Sequence, residues 1–257
     1  MKVLVVGAHV DDIEGMMGGT LALLVAQAGH EITARVAFSH REGAIFEGKD
    51  HGDVRFEEAR RSFAHLDLPP PTIFENHCGD LSVLYRLRNA LVATIEYCKP
   101  DAVFTHWPGD LHGDHQVTSF AVKDACWNTK PVRCPELIYC ETAPDIFDSK
   151  KRAPGGPLIS RKDPLPRSLN FNPTHWTDIA DTWELKRDLL CEMRSQEGER
   201  LWQEHLVKWA ERHRRFGHLF DDTFFTEVFT RARPDEPMNP ELMEILRPMA
   251  TDHWWPR

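Results

Sequence analysis

The chain has 257 residues, a formal net charge of −9 at pH 7 and a pI of about 5.9. This length is enough for one large α/β domain with a buried core, so the fold needs no covalent staples. The acidic balance argues against a general nucleic-acid-binding protein, which would carry a basic patch or stripe. No apolar run approaches the roughly 18 residues of a membrane-spanning candidate. We therefore expect no nucleic acid and no membrane among its partners.

The six cysteines include no C-x-x-C pair, the close spacing that is typical of zinc–thiolate sites. The apolar start of the chain, residues 1–6, is too short for a signal-peptide core and is better explained as a first strand. Both features favour reduced thiols and a cytoplasmic location.

Strand and helix patterns alternate along the first half of the chain. Short apolar or β-branched runs predict strands at residues 3–6, 32–38, 72–74, 102–105 and 135–140. Amphipathic runs predict helices at residues 20–28, 54–66, 84–97 and 116–127. Because β–α–β units make right-handed crossovers, this order predicts an α/β, Rossmann-like fold with a mainly parallel sheet flanked by helices.

The second half of the chain is less regular. Residues 150–174 lose apolar periodicity and predict a long loop, which is either a functional flap or a plain surface loop. A helical pattern over residues 182–214 predicts one long helix or two, and a last strand is predicted at residues 224–229. We expect a single domain over residues 1–230 and a Pro-rich C-terminal tail over residues 231–257.

One imidazole and two adjacent carboxylates, His9, Asp11 and Asp12, follow the first predicted strand. Ligands of open α/β sheets bind at the carboxyl ends of the strands. His9 and Asp12 stand three residues apart at a turn, so both can face one metal ion, whereas Asp11 has to point differently. This leaves Asp11 as a general base for a metal-activated water. The alternative is that Asp11 or Asp12 only caps the following helix.

A second cluster, with His112, Asp114 and His115, follows the strand predicted at residues 102–105. His115 can complete a His/Asp/His ligand set that suits Zn²⁺, although Fe²⁺, Co²⁺ or Ni²⁺ accept the same ligands. Asp114 is then an outer carboxylate for a metal-binding histidine. His112 would face the substrate, as a donor to the developing oxyanion or as the acid for the leaving amine. The two clusters together predict a metal-dependent hydrolase.

Both clusters resemble motifs of the PIG-L/LmbE-like deacetylase family. The family pattern AHPDDxE is matched at residues 8–14, GGTL at residues 18–21 and HPDH at residues 112–115. Val10 and Gly113 stand where the family has proline, which changes the stiffness of the loops rather than the chemistry of the ligands. Weaker matches extend the resemblance over roughly the length of the predicted domain.

The resemblance implies zinc-dependent removal of an N-acyl group, usually acetyl, from an amino sugar or an amino-sugar conjugate. Such reactions belong to small-molecule, thiol-cofactor or natural-product pathways. The resemblance implies His9, Asp12 and His115 as metal ligands, Asp11 as general base and His112 as oxyanion stabiliser.

The resemblance also implies that Arg55 and Asp80 line the substrate pocket. The partner it implies is a small acetylated amino-sugar substrate, and the sequence leaves a homo-oligomer open. The competing hypothesis is a metal-binding, Rossmann-like nucleotide- or ligand-binding protein without hydrolase activity. The missing G-x-G-x-x-G pattern argues against a nucleotide site, and Asp11 argues against a metal site without turnover.

Overall fold

The computed structural model describes residues 1–27, 29–41, 43–128, 135–141, 171, 173–203, 205–206, 209, 223–233 and 235–249. The strands are β1 Lys2–Gly7, β2 Glu31–Val36, β3 Ile45–Phe46, β4 Lys49–Asp50, β5 Thr72–Ile73, β6 Ala102–His106, β7 Glu136–Cys140, β8 His175–Asp178, β9 Thr226–Arg231 and β10 Arg247–Pro248. The longer helices are α1 Asp12–Ala26, α2 His51–Ala64, α3 Leu84–Cys98, α4 Gly113–Asn128 and α5 Trp183–Cys191.

One eight-stranded sheet organises the domain, in the order β10-β8-β9-β7-β6-β1-β2-β5. Five neighbouring strands, β7, β6, β1, β2 and β5, are mutually parallel. The other three, β9, β8 and β10, extend the sheet beyond β7, and each pairs antiparallel with its neighbour. The fold is therefore a mainly parallel α/β sheet flanked by helices, as the β–α–β order of the sequence predicted. The antiparallel edge was not predicted, because its pairings join segments that are distant in the chain.

The strand β1 shows how the sheet separates two cores. Val3 and Val5 pack into one apolar cluster with residues of α1, α2 and α5. Leu4 and Val6 point the other way and pack with residues of α3 and α4. A strand that is apolar on both faces is the expected signature of a central parallel strand.

Two helices begin earlier than the apolar periodicity predicted. The helix predicted from residue 20 begins at Asp12, and the helix predicted from residue 116 begins at Gly113. Both additional first turns hold glycine, histidine or carboxylate residues, which carry no amphipathic pattern. Asp12, Asp114 and His115 of the predicted site lie in these first turns, whereas His9, Asp11 and His112 lie just before them.

The helix α1 is bent at Met17, whose φ of −148° is not helical. Beyond the bend, the backbone N–H groups of Gly19 and Thr20 donate to the carboxylate of Glu227 on β9. Lys186 of α5 contacts the same carboxylate at 2.5 Å and donates to the carbonyl of Gly15. This buried ion pair fixes the course of α1 and with it the start of the helix.

Part of the segment predicted as a tail packs into the domain. Leu242, Ile245 and Leu246 are buried in the core, and β10 pairs with β8 at the edge of the sheet. The domain boundary at residue 230 stays a prediction. Of the loop predicted at residues 150–174, residues 150–170 and 172 lie outside the described part of the chain. The helical pattern from residue 182 is interrupted, since a 3₁₀ turn at Arg194–Gln196 follows α5.

Within the described ranges, no helix is both long enough and apolar enough to cross a membrane.

Candidate metal centre

The neighbouring parallel strands β1 and β6 end at the same edge of the sheet. Val6 pairs with Thr105, so the residues after each strand emerge side by side. The chain after β1 carries His9, and β6 itself ends at His106, a few residues before His115. The topology alone thus brings both predicted clusters to one place, as expected for the carboxyl ends of parallel strands.

Asp11 forms the turn between β1 and α1. Its φ of 108° lies in the left-handed region, which is uncommon for a residue with a side chain. Asp11 occupies the N-cap position, but its side chain makes no capping hydrogen bond. Asp12 is already helical, and its Oδ2 accepts a hydrogen bond from the backbone N–H of His9 at 2.6 Å. Neither carboxylate therefore caps the N-terminus of α1 through its side chain. The turn directs Asp11 and Asp12 to different partners.

His9, Asp12 and His115 are buried and converge on one point. His115 Nε2 lies 3.3 Å from His9 Nδ1 and 3.4 Å from Asp12 Oδ1, and His9 Nδ1 lies 3.5 Å from Asp12 Oδ2. Ligand atoms about 2.0–2.1 Å from a tetrahedral ion stand about 3.3–3.4 Å from one another. The two nitrogens and the Asp12 carboxylate, with Oδ1 beside His115 and Oδ2 beside His9, therefore have a spacing that suits a divalent metal ion such as Zn²⁺.

A carboxylate stands behind each of these imidazoles. His9 Nε2 lies 3.0 Å from Asp114 Oδ2, and the same carboxylate accepts the backbone N–H of Gly79. His115 Nδ1 lies 3.1 Å from Asp110 Oδ2. A proton on His9 Nε2, facing Asp114, leaves His9 Nδ1 as a lone pair that faces His115 Nε2, while Asp110 places its negative charge beside the other nitrogen of His115. The sequence analysis missed Asp110, whose only signal is a carboxylate in the loop that leads into the second cluster.

His106 is a further site residue that the sequence analysis missed. It is fully buried, and its ring stacks on His115 with centroids 4.0 Å apart. Its Nε2 accepts the backbone N–H of Ala8 at 2.8 Å and lies 3.1 Å from Asp12 Oδ2. Asp12, His106 and His115 also place donor atoms within 4.8 Å of one another. The backbone amide of Ala8 donates to His106 Nε2, so this nitrogen is less available to an ion than His9 Nδ1, and His106 packs beside Asp12 and His115.

His112 lies exposed at the mouth of the cluster, with its ring centroid 4.8 Å from that of His9 and 4.6 Å from that of His115. Its Nδ1 accepts the backbone N–H of Asp114 at 3.2 Å. Partial loss of hydration against the neighbouring rings and the positive charges of His115 and His9 lower the pKa of His112 to about 4. The imidazole is therefore neutral near pH 7, with its proton on Nε2, so it is a hydrogen-bond donor rather than a charged acid.

Asp11 faces the buried guanidinium of Arg55, with Oδ1 3.0 Å from Nη2. Arg55 also donates to the carbonyl of Val10, which ties α2 to the turn. Burial raises the pKa of Asp11 to about 6, against the opposing effect of Arg55 and with a further contribution from Asp12. A carboxylate with this pKa is mostly ionised at neutral pH and is a stronger base than an exposed aspartate.

The charges of the cluster favour a cation. Burial opposes a charge on His9, but hydrogen bonds to Asp114 and Asp12 raise its pKa well above the usual range. Burial also opposes a positive charge on His115, but Asp12 and Asp110 raise the pKa of His115 above its usual value. The pKa of Asp12 lies well below its usual range because His115 and His106 outweigh the effect of burial. The acids thus stabilise positive charge at this point, which a divalent ion would supply in place of the protons.

The structure gives Asp80 a local role. Its Oδ1 accepts hydrogen bonds from the backbone N–H and the hydroxyl of Ser82, so it caps the turn before α3. The neighbouring Gly79 contacts Asp114, but the carboxylate of Asp80 itself is used in this cap. The assignment of Asp80 to the substrate pocket stays a prediction, whereas Arg55 lies beside Asp11 as described above.

The fold and the cluster define the class of protein: a Rossmann-like α/β protein with a His/Asp centre at the carboxyl edge of its sheet. Residues 4–126 match the PIG-L family model, which is described as GlcNAc-PI de-N-acetylase. The resemblance recognised from the two motifs is thereby confirmed over this segment. The matched residues include both histidine clusters.

Solved structures share the fold over nearly the whole chain. N,N'-diacetylchitobiose deacetylase from Pyrococcus horikoshii is 19% identical, with 91% of this chain and 84% of that chain covered and a TM-score of 0.64. The 4-carboxy-2-hydroxymuconate hydratase GalB from Pseudomonas putida KT2440 is 20% identical, with 93% and 98% covered and a TM-score of 0.63. The zinc-inhibited form of teicoplanin deacetylase Orf2 is 13% identical, with 92% and 100% covered and a TM-score of 0.60. At these identities the likeness shows the fold and does not select a reaction.

Proposed function

We propose that this protein is a zinc-dependent N-deacetylase that removes an acetyl group from an amino sugar or an amino-sugar conjugate. The observation that carries the proposal is the convergence of His9, Asp12 and His115 at 3.3–3.5 Å, with a second carboxylate behind each imidazole. Metal-assisted hydrolysis of an amide uses a bound ion as Lewis acid, a base and a donor for the oxyanion, and this cluster offers ligands for the ion and a residue for each of the other two roles.

His9, Asp12 and His115 would hold the ion, while Asp114 keeps His9 in the tautomer that can bind it and Asp110 places its charge beside His115. When bound, a divalent ion would polarise the amide carbonyl and lower the pKa of the attacking water. Other divalent transition metals suit the same donor set.

Asp11 would take a proton from the attacking water. Its pKa of about 6 leaves it ionised at neutral pH, and Arg55 holds it in place without a capping hydrogen bond to α1. The protonated Asp11 can then deliver that proton to the leaving amine as the C–N bond breaks, so that amide and water give an amine and a carboxylic acid, whose own proton passes to the amine or to solvent. This assignment moves the acid role from His112, whose neutral ring has no proton to give at low cost, to Asp11.

His112 would donate Nε2–H to the oxygen of the acyl group as negative charge develops there. The backbone N–H of Asp114 fixes this tautomer from the other side of the ring. Preorganised donors of this kind stabilise the transition state more than the ground state.

The amino-sugar substrate is supported by the GlcNAc-PI de-N-acetylase description of the family and by deacetylases among the proteins of similar fold. The hydratase with the same fold shows that the architecture accepts another water-addition reaction, so the substrate has to be tested directly. A small-molecule, thiol-cofactor or natural-product pathway and a cytoplasmic location remain our predictions.

The test is acetate release from a panel of N-acetylglucosamine conjugates, measured with metal-stripped protein and after restoring Zn²⁺. We expect no release without metal, recovery with Zn²⁺ and none in Asp11→Asn. Asp124→Asn is the matched control, because Asp124 pairs with Arg88 on the surface of α3 and α4. Zinc binding without acetate release from any conjugate would instead favour the non-hydrolytic, ligand-binding hypothesis.

A further inference from the structure

A second group of metal-ligating side chains lies beside the first. His9, His40 and Cys78 place donor atoms within 4.8 Å of one another. Cys78 Sγ lies 3.3 Å from His40 Nδ1, and the His40 ring centroid is 5.0 Å from that of His9. Neither His40 nor Cys78 has a part in the hydrolytic mechanism proposed above.

The backbone holds both side chains in place. His40 follows β2 with a φ of 56°, in the left-handed region that few residues with side chains adopt. Its Nε2 is buried without a hydrogen-bond partner among the described residues. Cys78 precedes Gly79, whose N–H is anchored on the carboxylate of Asp114. Thiol and imidazole therefore meet because two separate loops, after β2 and before α3, are both fixed.

We propose that Cys78 and His40 form a second site for thiophilic divalent metals such as Zn²⁺ or Cd²⁺, which lies next to His9 and competes with the primary centre for this residue. A sulfur and a nitrogen bound to one tetrahedral zinc ion stand about 3.5 Å apart, close to the separation of Cys78 Sγ and His40 Nδ1. Binding requires the thiolate, so Cys78 releases its proton to solvent as the metal–sulfur bond forms.

The shared residue gives the second site a consequence. His9 Nδ1 faces Asp12 and His115, so an ion that draws His9 towards Cys78 weakens the ligand set of the primary centre. The second ion should therefore bind more weakly than the first and inhibit turnover when metal is in excess. This last consequence rests on the proposed function, whereas the site itself does not.

The test uses Cd²⁺, whose bond to a thiolate gives an ultraviolet charge-transfer absorption. Protein loaded with one equivalent of Zn²⁺ is titrated with Cd²⁺ without oxygen, and bound metal is counted by elemental analysis. Wild type should gain the absorption and a second equivalent of metal. Cys78→Ser should lose both, and His40→Asn should bind the second equivalent at least tenfold more weakly, because one of two strong ligands is gone.

The matched control is Cys98→Ser, which removes another part-buried thiol at the end of α3 and should titrate like wild type. His40→Asn keeps the titration informative if Cys78→Ser folds poorly. A Cd²⁺–thiolate signal that survives Cys78→Ser, or a wild type that stops at one equivalent, would overturn the second site. Because metal counting and ultraviolet absorption do not require turnover, they test the second site independently of the deacetylase assignment. Inhibition by excess Zn²⁺ should be seen in wild type and Cys98→Ser but be lost in Cys78→Ser.

Discussion

Asp11 and Asp12 are adjacent carboxylates with opposite environments. Asp11 lies against Arg55 and has a raised pKa, whereas Asp12 lies among imidazoles and has a lowered one. We expect Asp11→Asn to keep its zinc and lose on the order of 10²–10⁴ in kcat, the usual contribution of a general base. Asp12→Asn should instead lose zinc. Elemental analysis beside kcat separates the two, and an exchange of the two phenotypes would reverse the roles.

His112 is neutral with its proton on Nε2, so we expect it to act through a hydrogen bond that strengthens in the transition state. His112→Ala should lower kcat by about 10²–10³ at saturating Zn²⁺, with little change in KM. His112→Gln keeps an N–H donor and should recover part of the rate. If excess Zn²⁺ restored His112→Ala fully, His112 would only order the loop before His115.

At the scale of elements, the bend of α1 depends on a buried ion pair. Lys186→Met leaves Glu227 buried without its cation and should cost about 3–5 kcal/mol of unfolding free energy. Arg187→Met, on the same helix but paired with Asp188 at the surface, should cost less than about 1 kcal/mol. Urea unfolding monitored by fluorescence compares them. Equal losses would show that the ion pair does not hold the bend.

The contact between α1 and α2 should make stability depend on pH. Glu14 of α1 is buried, accepts a hydrogen bond from Ser62 of α2, and has its pKa raised by burial from 4.5 to about 7. The folded state therefore binds the proton of Glu14 more tightly than the unfolded state does. The stability that protonated Glu14 contributes is complete below pH 4.5 and is lost as the pH rises through about 7. In metal-stripped protein, Glu14→Gln should therefore raise the Tm at pH 8 and change it little at pH 4.5. The exposed Glu96→Gln is the control, and equal effects at both pH values would contradict the linkage.

For the whole molecule, the sequence was most informative where histidines and carboxylates directly follow a predicted strand. The apolar runs at residues 3–6 and 102–105 predicted two strands of a mainly parallel sheet, and their ends placed His9 and His115 in the right region; that the two strands are neighbours is seen only in the structure. The sequence did not reveal that Asp110 and His106 support these residues, because such contacts depend on side-chain directions in a loop and at a strand end. Neither did it reveal the antiparallel edge of β8, β9 and β10, whose pairings span long stretches of chain.

The central claim is that His9, Asp12 and His115 hold one catalytic metal ion. The most direct measurement is the metal content of purified wild type, His9→Ala and His115→Ala after loosely bound metal is removed. His65→Ala serves as control, since His65 pairs with Glu192 at the surface. We expect close to one divalent ion per chain in wild type and in His65→Ala, and loss of both metal and acetate release in His9→Ala and His115→Ala. Metal contents in His9→Ala and His115→Ala that equal wild type would contradict it.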